Sequence, residues 1–401
     1  MNDGGWAVHL PRPQRSSAVL VGTATQVTPS GLHPIPQAAA GVRALADALT
    51  GPAGHLDPDA VRLRVDPQTA TDVLDLFPTA GGGRPDLCLF YYAGHGLLAE
   101  GDRLCLALPG SVDEPGRVAR TSLPVQDVLA AMSQSAARHK VAVLDCCFAA
   151  RAFDAPAAAD VHLLTATTRT KKARYGEGAE YTGFTGALLE LLRDGIPDGP
   201  EHLDLGTLHR RLAVTLPTSA ERCPVPAQRA VGFSHDLALT RNPAHGTGRT
   251  REGLAARARF ALRMRRLALQ GAVVKPERLE QAVRLFAGIV ADGVRELSPT
   301  DREVLTYRHA HGSVLGEAGD APGAAALLDA VVADWESVAA PDDARLTAAR
   351  ASRAHWHHEG RAASTGPAGP PGEGPPGEGP PGEGPAAPSL HPSAPVGPQA
   401  R

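Results

Sequence analysis

No stretch of this chain approaches the roughly 18 consecutive apolar residues that a bilayer-spanning helix needs, and its first fifteen residues hold no apolar run of signal-peptide length. No membrane role is expected, and the protein reads as soluble and cytoplasmic. A basic surplus is missing as well. Forty Lys and Arg stand against 43 Asp and Glu, a net charge of −3, so the electrostatic footprint of a nucleic-acid partner is absent. Cysteine is sparse and odd in number. The five residues Cys88, Cys105, Cys146, Cys147 and Cys223 are scattered and mostly set in apolar runs, which argues against a disulfide framework. No C-x-x-C pair or H-x-x-x-H accompanies the adjacent Cys146 and Cys147, whose side chains point to opposite sides of an extended chain. No metal or other cofactor is therefore expected. Nor is there a dense Asp/Glu cluster with the spacing of a calcium loop. Each thiol is left with reactivity or core packing as its role.

What is present divides the 401 residues into several units. Residues 1–15 read as a disordered lead. From 16 to 240, apolar strand-like runs alternate with amphipathic helical segments: strands at Ala18–Gly22, Val61–Val65, Leu87–Tyr92, Leu104–Ala107, Val141–Asp145 and Val161–Thr165, and helices at Gln37–Leu49, Thr69–Leu76, Pro124–Met132, Thr182–Leu192 and Leu205–Leu212. Such alternation predicts an α/β fold with a mostly parallel sheet flanked by helices. Residues 241–251 carry Asn-Pro and Gly-Thr-Gly and read as a linker. From 252 to 360 the β signal vanishes and Ala, Arg and Leu dominate, which predicts an all-α region. The tail, 361–401, repeats Pro-Pro-Gly-Glu-Gly three times without the every-third glycine of collagen. It reads as an extended tail unable to bury a core.

The helical region matches itself at one displacement. Pro299–Arg308 lies over Pro341–Arg350, and Ala282–Asp292 lies over Ala324–Asp334, both displaced by 42 residues. A shared displacement in two separate blocks predicts stacked helical hairpins. With Leu315-Gly-Glu-Ala-Gly-Asp-Ala-Pro-Gly-Ala-Ala325 at the turn, the region resembles longer-period tetratricopeptide repeats. That resemblance implies a module for binding a protein partner.

Two segments carry the chemistry: Leu87-Cys-Leu-Phe-Tyr-Tyr-Ala-Gly-His-Gly96 and Val141-Ala-Val-Leu-Asp-Cys-Cys-Phe-Ala-Ala150. Each is a buried-strand run that ends in a turn, and the carboxyl ends of strands in such sheets are where catalytic groups collect. If the strands are neighbours, His95 and Cys147 share a cleft. A thiol becomes a strong nucleophile as thiolate, and an adjacent histidine can take its proton and later return it to a leaving amine. Gly96 leaves its N–H unobstructed, and together with the Cys147 N–H it would form an oxyanion hole.

Tyr92-Ala-Gly-His-Gly96 and Leu144-Asp-Cys-Cys-Phe-Ala149 resemble the histidine and cysteine boxes of the caspase clan, closest to its metacaspase and orthocaspase branch, peptidase family C14. The 52 residues between His95 and Cys147 agree with the roughly 50 of caspases. Ser17–Gly22, Val42–Leu49 and Phe184–Leu189 are similar to further family elements, and Asp236–Pro243 resembles the ending of effector-associated bacterial relatives. The resemblance implies a caspase-like cysteine endopeptidase acting on protein or peptide substrates, with Cys147 as nucleophile, His95 as base and Cys146 at the position of a family serine. It also implies that Asp145 lines the S1 pocket and pairs with a P1 arginine or lysine. The second pocket acid that metacaspases carry before the first helix is missing, since the stretch here reads Ala38-Ala-Ala-Gly-Val42. The basic segment Arg169–Tyr175 is a candidate for self-cleavage. Relatives imply a role in bacterial defence or regulated cell death. The competing reading is a catalytically silent caspase-like scaffold that acts through its helical repeats.

Overall fold

Seven consecutive residues, Leu87–Ala93, are buried without interruption, as expected of a strand in the middle of a parallel sheet covered on both faces. The computed structural model describes residues 8–78, 85–167, 178–219 and 222–364. Its elements begin with β1 (Ser16–Gly22), α1 (Pro36–Thr50), β2 (Val61–Val65), the single turn α2 (Thr71–Leu74), β3 (Leu87–Ala93), β4 (Gly96–Ala99) and β5 (Arg103–Leu106). There follow α3 (Val118–Thr121), β6 (Leu123–Pro124), α4 (Val125–Gln134), β7 (His139–Asp145), β8 (His162–Thr165) and α5 (Gly183–Asp194). The α/β part closes with β9 (His202–Asp204), α6 (Leu205–Thr218), β10 (Ala227–Arg229) and β11 (Ala238–Arg241).

The main sheet has the order β10-β8-β7-β3-β1-β2. All its pairings are parallel except β10 on β8 at the edge. Side chains alternate between the two faces. Leu87, Leu89, Tyr91, Val141 and Val143 pack with α1, α5 and α6, while Cys88, Phe90, Tyr92, Ala142, Leu144 and Cys146 pack with α4. The strand expected at Leu104–Ala107 does not join this sheet. It is β5, central in a three-stranded antiparallel unit with β4 and β6. The eight-residue helix expected at Thr69–Leu76 shrinks to α2; its start is capped reciprocally, the Asp72 carboxylate accepting the Gln68 and Thr69 amides and Thr69 Oγ1 accepting the Asp72 amide.

Part of the segment expected to be disordered is ordered against the sheet. His9 receives the Ala238 N–H on its carbonyl and donates its own N–H to Asp236. The expected linker also starts inside the domain. Asn242 is buried, its Nδ2 donates to Ile196 O and Pro200 O, and its Oδ1 accepts from Ile196 N.

The rest of the described chain is helical: α7 (Arg251–Leu269), α8 (Pro276–Glu296), α9 (Arg302–Glu317), α10 (Ala321–Val338) and α11 (Ala344–Ser364). In α8, Leu279, Ala282, Phe286 and Ile289 form one buried stripe at helical spacing. They share a core with α7 and with Val214 of α6. Ion pairs recur from hairpin to hairpin. Arg257 meets Asp292 at 2.8 Å and Arg308 meets Asp334 at 2.6 Å. Arg251 meets Asp301 at 2.9 Å, and Arg302 meets Asp343. Each acidic partner is displaced from its counterpart by 42 residues. Of the tail from 361 onward, residues 365–401 lie outside the described residues.

His162, on β8, is fully buried. The Gln228 Nε2 amide can only donate, so it fixes His162 Nε2 as acceptor at 2.9 Å and leaves Nδ1–H to donate to Ser234 Oγ at 2.7 Å. Burial, with the neighbouring His235, His209 and His139, pushes this ring down to about 4. Protonation of the unfolded chain begins near pH 6.5, whereas the folded ring resists it, so stability is fully present above 6.5 and falls as pH drops toward 4. The expected loss from this residue is about 3 kcal/mol. Urea unfolding at the two pH values should show a slope that His162→Gln flattens.

Candidate active site

The chain leaves β1 toward β2 on one side, then returns to β3 on the other side of β1 and continues outward to β7 and β8. The strand order therefore reverses between β1 and β3, and a crevice opens at their carboxyl ends. Residues 23–35 follow β1 and border this crevice from one side. The turn Gly94-His95 follows β3 and borders it from the other. His95 Nε2 lies 2.7 Å from the carbonyl oxygen of His33. A carbonyl only accepts, so Nε2 carries the proton and Nδ1 is left as the basic nitrogen. Burial lowers the pKa of His95 foremost, against the opposing pull of the His33 carbonyl and of the Asp113 carboxylate. The ring is thus neutral near pH 7, the form a general base needs.

The turn that presents His95 is pinned from beneath. Tyr92 donates its hydroxyl to His95 O at 3.0 Å and to Ala107 O at 2.8 Å. Ala107 N donates to His95 O at 3.0 Å, so in the antiparallel register of Gly96 opposite Leu106 the Gly96 N–H falls on the side away from β5.

β7 runs parallel beside β3, with Asp145 opposite Ala93 and Gly94 N donating to Asp145 O at 3.2 Å. Beyond Asp145 the chain turns into the cysteine pair. Cys146 continues the alternation into the α4-side core and is fully buried. Its thiol is pushed well up, first by burial and then by the charges of Cys147 and Asp145. Cys147 is half-buried. The next residue, Phe148, takes the left-handed conformation at φ 58°, which turns the chain sharply out of the strand. Thr167, buried at the end of β8, closes this turn: its Oγ1 accepts from Ala149 N and donates to Cys146 O, both at 3.0 Å.

The histidine turn and the cysteine turn touch through Gly96. A Cβ on this glycine would fall inside the carbonyl of Cys147 and 3.1 Å from Cys146 Sγ, so only a residue without a side chain allows the approach. A second tie is the ion pair of Arg151 with Asp102 at 3.1 Å, which joins the segment after the cysteines to the β4–β5 turn.

Against this geometry, a family model of the caspase domain, peptidase family C14, matches residues 31–235. The chain belongs to the caspase-domain peptidase family. No curated protein matches it. Membership makes the chain a cysteine-peptidase type of protein with proteins as its substrate class, and no helix among the described residues is long and apolar enough to cross a membrane.

Within the caspase domain, Asp145 lies on the α5 face of the sheet. It is 2 % exposed, and its Oδ2 accepts the hydroxyls of Thr182, the residue before α5, and of Thr185, the latter at 2.6 Å. Tyr91 shares the Thr185 hydroxyl. Burial raises the Asp145 pKa, while the two threonines counter it. His33, Thr167, Thr182 and Thr185 were not singled out by sequence. The His33 contact uses a main-chain oxygen and leaves no side-chain signal. The threonines lie 20 or more residues beyond Cys147 in sequence. A cavity of about 540 Å³ opens beside the β4–β5 turn, lined among others by Glu100, Asp102, Arg103, Asp113 and Arg120. Neither His95 nor Cys147 lines it. The basic segment Arg169–Tyr175 lies outside the described residues.

Proposed function

We propose that the caspase domain is a cysteine endopeptidase in which His95 Nδ1 takes the Cys147 thiol proton. The thiolate attacks the scissile carbonyl, and the N–H groups of Gly96 and Cys147 hold the developing oxyanion. His95 then returns the proton to the leaving amine, and water hydrolyses the thioester. The observation that carries this reading is the contact of Gly96 with the Cys147 backbone, with His95 oriented by His33 one residue away. Cys147 rather than Cys146 is the nucleophile, because Cys146 faces the core.

Asp145 is the acid of the S1 pocket, where a P1 guanidinium or ammonium would supply the charge partner that its burial calls for. Residues 252–360 form a tetratricopeptide-like module that recruits a protein partner. The hairpin-to-hairpin recurrence of the Arg–Asp pairs supports that reading. The protein would then be a partner-directed protease of the effector-associated bacterial type, in the cytoplasm, acting in defence or regulated cell death.

The test is a set of fluorogenic peptides with P1 Arg, Lys or Asp, given to the full chain and to Cys147→Ala. Cleavage after Arg and Lys that vanishes in Cys147→Ala is expected. Asp145→Asn should lower kcat/KM for the arginyl peptide about ten- to a hundredfold, the worth of one charge-assisted contact. Equal background rates in wild type and Cys147→Ala would refute the peptidase, and preferred cleavage after Asp would refute only the basic pocket.

A further inference from the structure

Asp66, the residue after β2, reaches across to the neighbouring strand and holds the chain where it leaves β1. Its backbone takes the left-handed conformation at φ 52°, and its N–H donates to Gly22 O, at the end of β1, at 2.8 Å. From there a single carboxylate oxygen, Oδ1, accepts the N–H of Ala24 at 2.7 Å and that of Thr25 at 2.9 Å. Two successive amides at the start of residues 23–35 are thereby fixed by one atom.

Ala24 is the pivot between this atom and the histidine turn. Its N–H goes to Asp66, and its carbonyl accepts Ile35 N at 2.8 Å, which clasps the two ends of the segment together. Ile35 is buried, and His33 stands two residues before it. The His33 carbonyl in turn meets His95 Nε2 at 2.7 Å. Elsewhere the segment is tied down by main-chain bonds, Thr23 N to Ala93 O and Val27 N to Pro109 O, both at 2.9 Å. The bonds to Asp66 depend on a side chain, so a substitution can remove them.

We infer that Asp66 is a positioning residue for His95: by holding Ala24 and Thr25 it sets where the His33 carbonyl lies, and through that carbonyl it keeps the proton on Nε2 and the free lone pair on Nδ1. Its effect on rate rests on the peptidase reading, whereas the bond to the imidazole exists without substrate. The role calls for an acceptor rather than a charge, because Oδ1 alone makes both bonds. Asparagine supplies the same oxygen and, like aspartate, tolerates a positive φ.

The experiment compares wild type, Asp66→Asn and Asp66→Gly, glycine being chosen because it accepts the left-handed backbone without strain. Nitrogen NMR of the histidine-labelled full chain, with the His95 signals assigned by their absence in His95→Gln, reads the tautomer and needs no substrate. Wild type and Asp66→Asn should hold the Nε2–H tautomer, and Asp66→Gly should raise the Nδ1–H form about fivefold, the scale of one lost hydrogen bond. On the arginyl peptide, kcat should fall about ten- to a hundredfold in Asp66→Gly and stay near wild type in Asp66→Asn. Asp66 is not a positioning residue if Asp66→Gly keeps the wild-type tautomer populations or the wild-type kcat, or if Asp66→Asn loses as much as Asp66→Gly. A wild type that cleaves no peptide would refute the peptidase and leave the tautomers to decide on Asp66. Circular dichroism checks that each variant is folded.

Discussion

Cys147→Ala should lower kcat/KM on an arginyl peptide by about 10⁴-fold or more, the scale of losing a nucleophile that acts as a unit with its base, while Cys146→Ala keeps most of the activity. The contrast follows from where the two thiols point. Cys146 ends the alternating pattern of β7 on the α4 face, fully buried, and burial keeps its thiol protonated far above neutral pH. It has neither the charge nor the access to attack a substrate. Removing its sulfur deletes a small core group, at a cost on the order of 1 kcal/mol. Cys147 sits one residue further on, half-buried at the crevice. Peptide mapping after brief iodoacetamide treatment gives a second readout: Cys147 should be alkylated in the folded protein and Cys146 only after unfolding. An inactive Cys146→Ala beside a working Cys147→Ala would reverse the assignment.

Gly96→Ala should cost about a hundredfold in kcat/KM with the fold retained. The added methyl would overlap the Cys147 carbonyl, and that neighbour is main chain, which cannot rotate away as a flexible side chain would. The two turns must separate, and a misplacement on the order of 1 Å between reacting groups costs about that much in rate. Overpacking adds a stability loss of about 1–3 kcal/mol. Gly110 has open space where its Cβ would go, so Gly110→Ala is the control expected to behave as wild type. If Gly96→Ala hydrolyses the peptide at the wild-type rate, the oxyanion hole assigned to this turn is wrong.

The centre of the main sheet was legible because burial on both faces writes itself as uninterrupted apolar runs, and β3 and β7 were bounded to within two residues; β2, an exposed edge strand reading Val-Arg-Leu-Arg-Val, was bounded to the residue by its alternation instead. β4 was not. Gly96-Leu-Leu-Ala99 is a short run directly after the histidine turn, and nothing local distinguishes an antiparallel edge strand from a loop. The lead at 8–15 read as unstructured because its order comes from pairing with residues more than 200 positions away, a long-range contact that leaves no periodic trace. At the site, the side chains that carry charge or sulfur were visible from their types and from the glycines beside them. The supports were not, because Thr167 acts through a hydroxyl on the main chain of Cys146 and Ala149, on either side of Cys147 and Phe148, and threonines in such positions look like ordinary strand ends.

The hold of His33 on His95 has a consequence for genetics. Because an amide oxygen makes the bond, swapping the side chain at position 33 leaves it in place, and a scan of single substitutions would pass over one of the groups that decides which imidazole nitrogen is basic. Only a change in the length or course of the segment joining β1 to α1 would withdraw that oxygen. A deletion there would silence the protein while every residue with reactive chemistry stayed intact.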